Sequence, residues 1–333
     1  MPHALPPYQH PTTICFVDDN AAFLTSLTLE LPDHWAFVCS SNPAKTLHLI
    51  NQSDPLSPLV ERCFSADNST PDNTIIHVDF AVLEEEIKRV ERFAQISVLL
   101  VDFAMPTMTG IEFFEQVKNP RIKKVLLTGV ADEKTAVDAF NRGVIDRYIP
   151  KASLSSKNTL VQQIESLQRD YFDQFFEHFN LVMGRKPPEF LIDPQVRRYF
   201  TQLMAEQHIA EFYLTDDPPG YLMLTANGEI SQLIVISQSA LDDQLKLAKQ
   251  FGAPEALINQ LSAGQKLGYI YEHPADYWDS TRYPWDEMFL PAIKIQGDVT
   301  WYVGWSNNPP IDIDFDLEKS SYNAYLAMGS ALD

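Results

Sequence analysis

Between residues 12 and 156 the chain alternates short, continuously apolar runs with stretches of helical spacing. The apolar runs are TTICFV, WAFVCS, SVLLVDF, IKKVLLT and VIDRYIP. Runs this short, apolar at every position, predict strands covered on both faces. The stretches between them, AAFLTSLTLEL, NPAKTLHLINQ, IEFFEQVKN and DEKTAVDAFNRG, predict the covering helices. Asn42 stands where an N-cap is expected, with Pro43 at the first helical position. Strand and helix in alternation predict an α/β, doubly wound, parallel five-stranded domain spanning 12–156. In such sheets the working site lies at the carboxyl ends of the strands.

An interruption falls between the second and third strands. About 51–94 is longer than a crossover requires, and holds a polar Pro/Ser/Asn-laden stretch followed by DFAVLEEEIKRVERFAQ, a helix with Asp79 as N-cap. This insertion reads either as a partner surface or as decoration.

After the sheet, 157–189 reads as a long helix and linker. Leu160, Ile164, Leu167, Tyr171 and Phe175 share one stripe, and Phe172, Phe176 and Phe179 widen it. Two readings stand: the sheet's last covering helix continued into a connector, or a helix pair that forms a dimer. GRKPPE breaks the helix. The segment 190–333 predicts an α+β domain with an antiparallel sheet: helix DPQVRRYFTQLMAEQH, three strands turning at Asn227-Gly228, two helices, then further strands and an acidic tail. Its element order loosely resembles a PAS-type sensor fold. Trp278, Tyr283 and Trp285 either line a small-molecule pocket or fill a core or interface.

Charge narrows the partners. A formal charge of −20 repels phosphate backbones, so DNA binding by this chain is disfavoured. Cys15, Cys39 and Cys63 have no metal-ligand or disulfide spacing, which predicts a reducing cytoplasm. MPHALPPYQHP lacks a secretion signal's apolar core, and no window reaches the roughly 18 apolar residues of a membrane span.

The predicted strand ends carry Asp18 and Asp19, Asp102, Thr128 and, two residues past Ile149, Lys151. Acids from two strand ends are hard oxygen donors suited to Mg²⁺. A carboxylate beside such an ion is a candidate nucleophile toward phosphorus, with Asp102 in that role. Lys151 and the Thr128 hydroxyl would then face the phosphate oxygens. Each residue alone has an ordinary explanation as a turn or cap; their order along one βα series is what points to chemistry.

The stretches VDDN, VDFAMPTMTG, LLTG and DRYIPK resemble the CheY-like receiver domain of two-component response regulators, over roughly residues 12 to 175. The resemblance implies that Asp102 is the phosphoacceptor for a sensor histidine kinase. It further implies that Asp19, Asp102 and the Ala104 backbone carbonyl hold Mg²⁺, with Asp18 acting through water. Thr128 and Tyr148 would form the switch pair, and Lys151 the phosphate contact. The chain departs from the pattern at Pro150, which precedes the lysine where receivers usually have a proline after it. A receiver with an enlarged crossover and no DNA-reading helix also resembles the Legionella-type quorum-sensing response regulators. Two outputs follow: signalling through protein partners, a ligand or phosphorylation-dependent homodimerisation, or else an unfamiliar enzyme or nucleic-acid binder.

Overall fold

Continuously apolar strands bury both faces only if helices cover both, and the computed structural model shows this arrangement. It describes residues 4–52, 59–67, 75–129, 133–155, 157–183, 188–269, 284–297, 299–309 and 316–329. The chain divides into two compact units, each discontinuous in sequence. One holds 11–58, 89–175 and 322–333; the other holds 1–10, 59–88 and 176–321.

The first unit is built on five parallel strands in the order Phe37–Ser40, Thr13–Val17, Ile96–Asp102, Lys123–Thr128, Arg147–Pro150. Alternate residues feed two separate cores. Ile14, Phe16, Val98 and Leu100 meet Leu24, Leu27, Leu160, Ile164 and Leu167 on one face. Cys15, Val17, Leu99 and Val101 meet Phe113, Phe114, Ala136 and Ala139 on the other. Helix starts follow local chemistry. Asn42 Oδ1 accepts from the Lys45 amide at 2.9 Å as the Pro43–Gln52 helix begins, and Thr109 and Glu112 close a reciprocal capping box ahead of Gly110–Gln116.

The C-terminal stretch, expected to be only an acidic tail, contains the helix Tyr322–Met328, which belongs to this unit. The Tyr322 hydroxyl donates to the His34 carbonyl (2.8 Å) and accepts from the Ala36 amide (2.9 Å). Tyr325 pairs with the Thr13 hydroxyl at 3.0 Å, and the Phe93 ring lies against both tyrosines.

The second unit centres on an antiparallel sheet of six strands in the order Tyr8–Gln9, Ile209–Asp216, Pro219–Thr225, Ile230–Ser237, Thr300–Ser306, Ile293–Gln296. Phe200, from helix Pro194–Glu206, packs on Phe212 and Tyr221 of this sheet. Ile234, Ile236 and Tyr302 pack with Leu241, Ala248, Leu257 and Leu261 of the two later helices. The Asn227-Gly228 turn forms as expected, with Gly228 at φ +86°, where a side chain would be strained. The insertion contributes to this unit the helices Leu59–Cys63 and Phe80–Lys88 around an antiparallel pair, Phe64–Asp67 with Ile75–Val78. Asp79 caps the second helix, accepting from the Ala81 and Val82 amides. His178 pairs with Glu61 at 2.5 Å, Arg62 with Glu86 at 2.7 Å, and the Phe64 ring meets Phe179 edge-on.

The long helix runs Lys157–Met183, its residues to Phe175 in the first unit and those from Phe176 in the second. Tyr171, Phe172, Phe175 and Phe179 are each no more than 2% exposed. The stripe is therefore buried within the chain, in accord with the reading of it as the sheet's last covering helix continued, and its aromatics pack on one another. Trp285 stacks on Phe289 at the edge of the second unit's core, while Trp278 and Tyr283 lie outside the described residues. Among the described residues no helix is long and apolar enough to cross a membrane, and the three cysteines are free. Burial raises the thiol pKa of Cys15 to about 12 and of Cys39 to about 11, so neither is a ready thiolate.

Candidate functional site

Three strands of the parallel sheet end together, and their last residues converge. Asp18 follows Val17, Asp102 closes Ile96–Asp102, and Lys151 follows Pro150. Asp18 is fully buried and Asp102 is 6% exposed, while Asp19 faces solvent. One carboxylate oxygen from each of the three acids lies within 4.8 Å of the others. Lys151 reaches into this group, its ammonium 2.6 Å from Asp18 Oδ2 and 2.8 Å from Asp102 Oδ1. The proline before Lys151 therefore does not keep the lysine out of the site. A short 3₁₀ turn, Lys151–Ser155, follows, with the Ser153 hydroxyl donating to the Pro150 carbonyl.

Local bonds hold the acids in place. The Asp18 amide donates to the Ser40 carbonyl at 3.2 Å, and Asp18 Oδ1 accepts from the Asn20 amide at 2.9 Å. After Asp102 the chain reverses: the Gly110 amide donates to the Phe103 carbonyl, and Ala104 bridges to Thr109. Gly110 is required by space, because a Cβ there would sit 2.4 Å from the Asp102 carbonyl oxygen and 2.7 Å from Leu126 Cδ1. Met105 packs into the core beneath the loop. The Met-Pro-x-x-x-Gly turn thus folds the rim of an acidic pocket back against the strand that bears Asp102.

The electrostatics follow from burial. Desolvation pushes the Asp102 carboxyl above its ordinary range; the hydrogen bond and charge of Lys151 oppose this, and the charges of Asp18 and Asp19 add to it. For Lys151, burial favours the neutral amine, but its hydrogen bonds to Asp102 and Asp18 outweigh that and raise its pKa. One ammonium pairs with two of the three carboxylates, and the cluster retains net negative charge. Oxygen donors of this kind, excess negative charge and one exposed member fit Mg²⁺, which takes few carboxylates and keeps several waters. Asp18, Asp19 and Asp102 are the side chains that would hold it.

Thr128 ends its strand 2% exposed, in register with Pro150. Tyr148 is half-buried beside the core, in register with Leu126. Asp18, Asp19, Asp102 and Lys151 are thus brought together, and Thr128 and Ala104 close the ends of adjoining segments. One neighbour was not singled out from the sequence. The Phe23 ring lies 4.7 Å from the Lys151 ammonium. In the sequence Phe23 is one more apolar residue on a helical stripe, so nothing marked it.

A parallel sheet in this strand order, with an acid trio and a lysine at its carboxyl edge, defines a receiver domain. The family model for the response regulator receiver domain matches residues 70–165. The match begins inside the insertion, so Asp18 and Asp19 lie outside it. Over 80 residues the chain is 35% identical to the regulatory protein AtoC of Escherichia coli K12, spanning 23% of this chain but only 17% of that protein. The solved structure of the Legionella pneumophila response regulator LqsR is 30% identical, with a TM-score of 0.80, covering 100% of this chain and 98% of that one. The chain belongs to the two-component response regulators, in the family that includes LqsR.

Proposed function

We propose that this protein is a phosphorylation-controlled switch in which Asp102 accepts a phosphoryl group from a sensor histidine kinase. The observation that carries the reading is the Lys151 ammonium held between Asp18 and Asp102 inside the acid trio. An Asp102 carboxylate oxygen forms the new bond to phosphorus as the bond from phosphorus to the donor's imidazole nitrogen breaks and its electron pair leaves with the imidazole. Mg²⁺, when bound, supplies charge neutralisation of the transferring group. Asp18, Asp19 and the Ala104 carbonyl are its proposed protein ligands beside Asp102. Lys151 pairs with a phosphate oxygen, which requires it to give up part of its hold on the carboxylates. The Thr128 hydroxyl meets another oxygen, and Tyr148 moves inward into the space left, so that the phosphorylated state favours one of two arrangements.

Val137 and Phe140 support an output through contacts: both are exposed on the helix Glu133–Asn141, whose strand neighbour carries Tyr148. We place the protein in the cytoplasm. Its acidic second unit signals to a protein or small-molecule partner or through a phosphorylation-dependent homodimer, and the Legionella-type resemblance supports a quorum-sensing context. A PAS-like reading of the second unit rests on element order alone.

Incubation with acetyl phosphate and Mg²⁺ tests the proposal by intact mass. One added phosphoryl group is expected, absent in Asp102→Asn and absent in EDTA. Full labelling of Asp102→Asn would move the acceptor elsewhere.

A further inference from the structure

The lysine at the site has a third partner that is not a carboxylate. Phe23 lies in the first turn of helix Ala21–Thr28, and its position is fixed by a closed circuit of contacts. Asp18 Oδ1 accepts from the Asn20 amide (2.9 Å), and Asn20 Oδ1 accepts from the Phe23 amide (3.1 Å). The Phe23 ring faces the Lys151 ammonium at 4.7 Å, and Lys151 returns to Asp18 Oδ2 at 2.6 Å. The residues that position the first acid therefore also position the ring. Phe23 is half-buried, packed against the core formed with Leu24 and Leu27, which limits its movement.

The ring matters because of what phosphorylation does to the other two partners. Asp18 and Asp102 are the side chains that a divalent cation and the phosphoryl group engage, so both weaken their hold on Lys151 as the reaction proceeds. An aromatic face attracts an ammonium through its quadrupole and binds neither Mg²⁺ strongly nor the phosphoryl group. It is the contact that persists through the transfer.

We infer that Phe23 is a positioning residue for phosphoryl transfer at Asp102: its ring holds the Lys151 ammonium at the mouth of the pocket when the carboxylates release it. This inference rests on the phosphoacceptor reading above. It is tested with Phe23→Leu, which keeps apolar packing without the ring, and Phe23→Tyr, which keeps the ring, each alone and in a Lys151→Met background. Two quantities are measured: the initial rate of Asp102 labelling by acetyl phosphate, and acylation of Lys151 by an amine-reactive ester at saturating Mg²⁺, where the cation engages the carboxylates, mapped by peptide mass. Phe23→Leu should lower the labelling rate roughly two- to fivefold and raise Lys151 acylation by a similar factor, with Phe23→Tyr close to wild type in both. In the Lys151→Met background, Phe23→Leu should cause no further loss of rate. A loss of the same size with Lys151 absent, or unchanged acylation in Phe23→Leu, overturns the inference. A wild type that takes up no phosphoryl group defeats the phosphoacceptor reading instead, and the acylation arm still decides whether the ring holds the lysine.

Discussion

Adjacent aspartates end a strand in each of the two units, and their surroundings differ. Asp18-Asp19 ends a parallel strand; Asp216-Asp217 ends an antiparallel one and turns at once into the next, with Asp216 opposite Pro219. A parallel sheet has crossover connections, so its neighbouring strand ends come from distant parts of the chain: here residues 18, 102 and 151 meet. A hairpin end gathers mainly its own sequence neighbours. At the first pair, topology delivers a lysine to the buried acids. At the second, the Thr215 hydroxyl donates to the Pro218 carbonyl and ties the turn to itself. Burial, then the charge of Asp217, raise the pKa of Asp216 to about 6, with the opposing influence of His77 too small to cancel them. Two identical dipeptides thus become a candidate chemical site and a turn under electrostatic strain, and the cation makes the difference.

Removing that cation should have the largest effect. Lys151→Ala leaves Asp18 and Asp102 buried without their ammonium, and should destabilise the metal-free protein by ~2 kcal/mol or more. Asp102 labelling should slow at least about tenfold, since an electrostatic contact to the transferring group is lost. The elevated pKa of Asp102 sets the pH dependence: acid protonates it, removes its repulsion with Asp18 and narrows the gap to wild type. Millimolar Mg²⁺ should recover much of the stability. Urea titrations at two pH values with and without Mg²⁺ provide the check, and a gap that widens in acid would contradict this account.

Gly110→Ala should come next. The added Cβ meets backbone at the Asp102 carbonyl, which cannot swing aside as a side-chain tip can. A loss of ~2–3 kcal/mol is expected from overpacking, with slowed labelling because the loop after Asp102 is displaced. Thermal unfolding alongside intact mass measures both, and a variant as stable as wild type would mean that the loop yields freely.

Asp216→Asn probes the pair without a lysine, with the opposite sign. A carboxyl whose folded pKa is raised is more protonated in the native state, so stability is greatest below about pH 4 and falls as pH rises through about 6. The amide removes that penalty. After allowance for solvent screening at this partly exposed site, the variant should be more stable than wild type by ~1 kcal/mol at pH 7.5 and equal to it near pH 4. Melting curves across that range would show a benefit confined to the upper end, and a benefit in acid would exclude ionisation as its source.

The smallest effect sharpens the contrast most directly. His77→Lys places a permanent cation near Asp216 and should raise stability at pH 7.5 by a few tenths of a kcal/mol, roughly the value of an exposed ion pair. It should add no second phosphoryl group, because among the described residues the only acid trio is the one at Asp18, Asp19 and Asp102. A second labelled aspartate, found by peptide mapping, would mean that an acid beside a cation is sufficient.

Much of this was legible in the sequence. The five parallel strands, their helices, and the caps at Asn42 and Asp79 follow from hydrophobic period and from side chains acting on amides two or three residues away. The acids and the lysine were legible because a strand's last residue is set by the run before it. What only the tertiary structure decided lies at long range. Tyr8–Gln9, in a Pro-rich start, becomes a strand because Ile209–Asp216 offers it an edge. The helix Leu59–Cys63 groups with the second unit because His178 and Phe179 meet Glu61 and Phe64 there. Tyr322 closes on His34 and Ala36, and Phe23 on Lys151, through contacts that no local pattern encodes. Periodicity says which face of an element is apolar; which distant surface covers it depends on the shape of the whole packed chain.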